Sequence, residues 1–188
     1  MGQPATFART LSEIGLAAWF GGSLMGAIGV NGAAAEVDRP DQRARVANAG
    51  WSRWTPVNFA AIGAHLAGSV LLTTANKGRL AGQRNVMTTA AVKTAVTAGA
   101  LAATGWARAL GQKMMQAGDV AVEGGTTPSD QTPPDVAAVQ RKLNGLQWAI
   151  PALTGTLIVM DALMGEQQRP KQVASGMVQR ILPDRLAA

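Results

Sequence analysis

The chain has 188 residues, of which 15% are charged; its net charge is +6 and it contains no cysteine. Soluble domains carry roughly 25% charged residues, and the lack of cysteine excludes disulfides, thiolate metal sites and thiol nucleophiles. No Lys/Arg run interleaved with aromatics points to a nucleic acid, so the basic balance fits an anionic membrane surface instead.

The first long apolar run, Ile14–Ala35, is uncharged for 22 residues. About 20 such residues cross a bilayer core as a helix, which predicts a first span over about 12–35. Thr10-x-x-Glu13 resembles a capping box that opens it. The stretch GAAAE offers a small-residue cleavage pattern at Ala33 and Ala35. However, the apolar core is longer than that of a signal peptide, and Glu13 occupies the place of its basic region. A retained span is therefore expected.

Glu36–Arg53 is polar and punctuated by DRPD, and the second span follows over about 54–76, uncharged from Trp54 to Asn76. The short connection KGRLAGQR leads to a third span over about 86–110 that holds Lys93 and Arg108. Residues 118–134 are rich in Gly, Pro, Ser and Thr without apolar periodicity, and are expected to be irregular and mobile. The fourth span is predicted over about 143–162, with a kink at Pro151. In the tail, 166–188, Val173, Met177 and Ile181 form one apolar face beside Lys171, Arg180 and Arg185. This suits a short basic amphipathic helix that lies on the inner membrane surface, with docking on a cytoplasmic partner as the alternative.

The fold class predicted is all-α: a bundle of four transmembrane helices over 1–165 with a short amphipathic C-terminal helix. Lys and Arg near the span ends divide evenly between the two sides. The dense KGRLAGQR loop and the acidic loop opposite it favour cytoplasmic N- and C-termini. Helices in lipid associate through small residues about four apart. Gly22 and Gly26 in the first span, Ala64 and Gly68 in the second, and Gly99 and Ala103 in the third are the expected packing positions.

Trp51, Trp54, Trp106 and Trp148 fall at the outer span ends, as an interfacial aromatic belt would. With Asn31, Asn58, Asn144 and Gln147 they also form a candidate pocket for a quinone or a lipid headgroup. Lys93 is expected to snorkel toward the headgroups, because Asp161 is placed at the inner end of its span and no other carboxylate lies at matching depth. The alternative is an inward-facing lysine that forms a polar ligand site with His65. His65 is the only histidine; a satisfied core residue is expected there, with proton relay or haem ligation as the functional alternatives. No metal-ligand cluster, nucleotide loop or catalytic set is evident.

The segments WFGGSLMGAIGVN, WSRWTPVNFAAIGAHLAGS and LQWAIPALTG resemble an uncharacterised group of four-helix integral membrane proteins from high-GC Gram-positive bacteria. The resemblance implies a bacterial inner-membrane protein and carries no ligand or chemistry to any position. The expected function is that of a non-catalytic accessory or assembly subunit with no resident cofactor. Its partners would be membrane lipids and a larger membrane complex or further copies of itself. The alternatives are a binding or transport protein built on Lys93 and His65, and a haem- or quinone-linked redox protein.

Overall fold

A computed structural model describes residues 3–75 and 84–166, with no named strand among the described residues. Helix α1, Gln3–Met25, continues through a π-helical turn, Gly26–Val30, into the short α2, Asn31–Ala35. Helix α3 spans Pro40–Ala75, α4 Arg84–Gln116 and α5 Pro134–Glu166. The KGRLAGQR connection, up to its final arginine, and the expected amphipathic tail beyond Glu166 lie outside the described residues.

Three stretches, Ala5–Ala35, Pro40–Ala75 and Pro134–Met164, are long and apolar enough to cross a membrane. The protein is a membrane protein of helical construction. Helix α4 is the fourth rod, its apolar character diluted by Lys93, Arg108 and several threonines.

The helices outrun the uncharged runs. Helix α3 has 36 residues, about 54 Å at 1.5 Å per residue, against a hydrocarbon core of about 30 Å. Its start is set by Pro40-Asp41, and that of α5 by Pro134-Asp135. Proline at the first helical position sacrifices only an N–H that would have no helical partner. Aspartate in the first turn meets the positive end of the helix dipole. Both helices therefore begin in the polar layer, well before the lipid.

Successive long helices run in opposite directions. Helix α1 packs closely on α3, α4 packs on α5, and α1 also touches α5; α3 and α4 barely meet. Glycine explains the first of these contacts. A Cβ added at Gly68 would lie 2.5 Å from the backbone oxygen of Ala8 and 2.5 Å from the backbone nitrogen of Ser12. At Gly15 it would overlap the backbone of Ala61 and His65. The two helices cross backbone to backbone, as small residues in lipid permit. Ala64 sits in the same crossing, against Gly15.

The other expected packing positions divide. Gly22 and Gly26 receive the faces of Trp54 and Trp51 rather than another backbone. Ala103 is buried in the core. Gly99 is a correction: it is exposed, and a Cβ there would touch only Leu153, at 3.9 Å. The α4–α5 contact is made on the adjacent face, through Ala100 and Ala103, so glycine contributes little to it.

The core has two storeys. Leu16, Trp19, Ile62, Ala100, Ile150 and Leu157 fill the bundle. Ala44, Leu110, Met114, Val122, Val136 and Leu143 fill the end away from the chain termini, called outer only in that sense, where the helices project beyond the uncharged runs. The segment after α4 belongs to this outer storey. Val122 is completely buried, its N–H donates to the Pro40 carbonyl at 3.2 Å, and it bridges to Pro128. The Arg43 guanidinium donates to the carbonyls of Val37 at 2.8 Å and Glu123 at 3.2 Å. Gln140 donates to the Gly124 carbonyl at 3.2 Å. The loop is irregular, as its composition predicts, but it is tied down where mobility was expected. One buried valine inside a polar sequence is the anchor that composition hides.

Candidate functional site

In the half of the bundle nearer the termini, each close helix pair is fastened by a polar contact. Lys93 of α4 is in direct contact with the Asp161 carboxylate of α5, and both side chains are 18% exposed. This corrects the snorkelling expectation. Helix α5 continues to Glu166, so Asp161 lies more than a turn inside its end and at the depth of Lys93.

His65 of α3 is fully buried. Its Nδ1 lies 3.1 Å from both the carbonyl oxygen and the Oγ of Ser12, and that hydroxyl is 3.0 Å from Ser69 Oγ. A carbonyl only accepts, so this geometry puts the ring proton on Nδ1. The Trp19 ring packs on the imidazole at 6.4 Å, and Nε2 is enclosed without a partner. His65 fastens α1 to α3, and its enclosure gives a haem-ligand reading no support.

The outer half holds a different network. The π-helical turn closes with the Asn31 N–H donating to the Gly26 carbonyl, and it presents the Asn31 side chain to its neighbours. Asn31 Nδ2 donates to Gln147 Oε1, and Asn31 Oδ1 accepts from Trp51 Nε1 at 3.1 Å. One amide thus joins α2, α3 and α5. Asn31→Leu strands a buried amide oxygen and an indole N–H, each costing about 1–3 kcal/mol. The expected result is a lower unfolding midpoint in detergent and a red-shifted tryptophan emission.

Where α3 and α4 diverge, a cavity of about 250 Å³ opens. Toward one end it is lined by Asn48, Ser52, Thr55, Arg108, Leu143 and Gln147, and toward the other by Ser23, Asn58, Ile62, Leu101, Thr104 and Ile150. Phe59 and Gly105 on its rim are exposed, which places the mouth on the side of the bundle, between α3 and α4. A shallower recess at the outer end shares Ser52 and Arg108 and adds Gln112 and Gln116.

Several polar groups at this cavity have no partner of their own. Trp54 Nε1 and Asn58 Oδ1 are buried without a hydrogen bond. Pro56 and Pro151 stand inside continuous helices. Each withholds the N–H that would bond the carbonyl four residues back. Those carbonyls belong to Ser52 and Gln147, both on the cavity wall.

Of the residues singled out from sequence, Trp54, Asn58 and Gln147 line this cavity, and Asn31 stands directly behind Gln147. Trp106 and Trp148 do not join them; they are 56% and 50% exposed and face outward. Lys93 and His65 are not in the cavity wall. Sequence reasoning missed Ser52, Thr55 and Arg108 as members of the wall. The two mid-helix prolines were the available signal. No family model, curated protein or solved structure matches the chain.

Proposed function

We propose that this protein crosses the bacterial cytoplasmic membrane four times, with both termini inside, and serves as a non-catalytic accessory subunit. It would assemble with a larger membrane complex or with copies of itself. Connectivity supports the fourth crossing: α3 ends at one end of the bundle and α5 begins at the other, with α4 running between them.

The observation that carries the assembly reading is the outward face of α4. Ala91, Ala95, Ala98, Ala102, Gly105 and Ala109 are all exposed and recur three or four residues apart. Such a stripe gives lipid tails little to pack on but lets another helix approach closely. The chemistry of the interior agrees with a non-catalytic role, because Lys93 and His65 are both engaged in fastening helices.

Extraction in a mild detergent and native mass measurement test the reading. An assembly heavier than the 19.3 kDa chain is expected. The pair Ala98→Phe and Ala102→Phe should reduce it to the monomer without loss of helix content. A wild-type monomer without companions would overturn the proposal.

A further inference from the structure

We infer that the cavity between α3 and α4 is a binding site for one anionic phospholipid, with its phosphate on Arg108 and an acyl chain laid inward past Phe59 and Ile62. The inference rests on the membrane placement but not on the assembly reading.

The first argument is the order of the lining. The one cation, Arg108, stands at one end of the wall with Asn48 and Gln147, and Phe59, Ile62, Leu101 and Ile150 stand toward the other with Ser23, Asn58 and Thr104 among them, so a charged headgroup is directed to the Arg108 end. The second is size. Apolar cavities of about 150 Å³ stay dry and take up a benzene-sized molecule. This one, at about 250 Å³, holds a chain segment and part of a headgroup, with the remainder lying against the open side.

The third argument is the set of polar groups without partners. Trp54 offers an N–H suited to an ester carbonyl. Asn58 Oδ1 asks for a donor, and Pro56 has no N–H to give the Ser52 carbonyl four residues back. A headgroup that carries hydroxyls supplies such donors. The fourth is charge. Arg108 has a fork of donors that matches a phosphate, and it is exposed where the cavity meets the outer recess.

The test uses the full-length protein reconstituted in vesicles of equal phosphatidylglycerol and phosphatidylcholine, extracted gently and weighed by native mass spectrometry. One phosphatidylglycerol per chain is expected to be retained. Arg108→Gln should lower its retention relative to phosphatidylcholine roughly tenfold, the effect of losing one charge-assisted hydrogen bond. Ser52→Phe, at an exposed position shared by cavity and recess, should abolish retention while helix content stays unchanged.

Equal retention of both lipids would overturn the headgroup assignment, and undiminished retention in Ser52→Phe would overturn the location. Capture of a quinone in place of a phospholipid, when native membranes replace the vesicles, would overturn the ligand class. A wild-type chain that carries no lipid would overturn the site altogether. Release of the protein from membranes by alkaline carbonate would instead sink the membrane placement, a separate failure.

Discussion

Gly68→Ala is expected to destabilise the protein by about 2 kcal/mol, although alanine is the better helix former. The added methyl lands 2.5 Å from backbone atoms of Ala8 and Ser12. A backbone cannot rotate away as a side chain can, so α1 and α3 have to separate. Overpacking of this kind costs about 3 kcal/mol, of which roughly 1 kcal/mol is regained from helix propensity. Separation also stretches the Ser12–His65 contact, which stands at 3.1 Å.

Gly63 is the internal control. It lies on the same helix with nothing within 4 Å of its added Cβ. Gly63→Ala should leave stability unchanged or raise it by up to roughly 1 kcal/mol. The unfolding midpoint in detergent reads both. Shifts of the same sign would contradict the backbone contact at Gly68.

Lys93→Met gives the second large effect, and its sign separates two descriptions of the lysine. A snorkelling lysine could be replaced by methionine with little loss, or with gain. A lysine bound to Asp161 leaves behind a carboxylate in a poorly hydrated place. Removing one partner of a fully buried pair costs roughly 3–5 kcal/mol. Since 18% of each side chain remains accessible, about 2 kcal/mol is the expected loss. Asp161→Asn should cost a similar amount. The double variant Lys93→Met with Asp161→Leu should recover most of the stability, since a packed apolar pair replaces the ionic one. If Lys93→Met unfolds at the wild-type midpoint, the pair is not holding α4 to α5.

These cases show what was legible in the sequence. The uncharged runs marked where oil begins and ends, because a charge in hydrocarbon is penalised by depth. They did not mark where helices begin. Pro40-Asp41 and Pro134-Asp135 did that, about two to four turns earlier. Missing those starts hid the outer storey, and with it the burial of Val122 and the role of Arg43. Ending the fourth span before Glu166 put Asp161 at the wrong depth and concealed the partner of Lys93.

Small-residue spacing gave Gly68 and Ala64 correctly as members of a crossing, but it could not tell which glycines meet a backbone. Gly22 and Gly26 have the same spacing and meet indoles instead. The outer amide and tryptophan group divides for a similar reason. Position along the chain sets depth but not which way a side chain faces around the helix. Trp54, Asn58 and Gln147 thus share a cavity that Trp106 and Trp148 turn away from.

The widened turn at Gly26–Val30 has a consequence for how this chain can vary in length. It takes up one residue more than an ordinary helical turn. Ile28, which projects outward from it, is surplus to the register that brings Asn31 to Gln147. A homologue shorter by one residue at this point would keep the same amide junction in plain helical geometry. If the full-length turn tightened instead, Asn31 would swing by about 100° around the axis. Loss of one residue at this spot is therefore absorbed by the turn, whereas tightening at unchanged length is read out as rotation of everything that follows as far as Ala35.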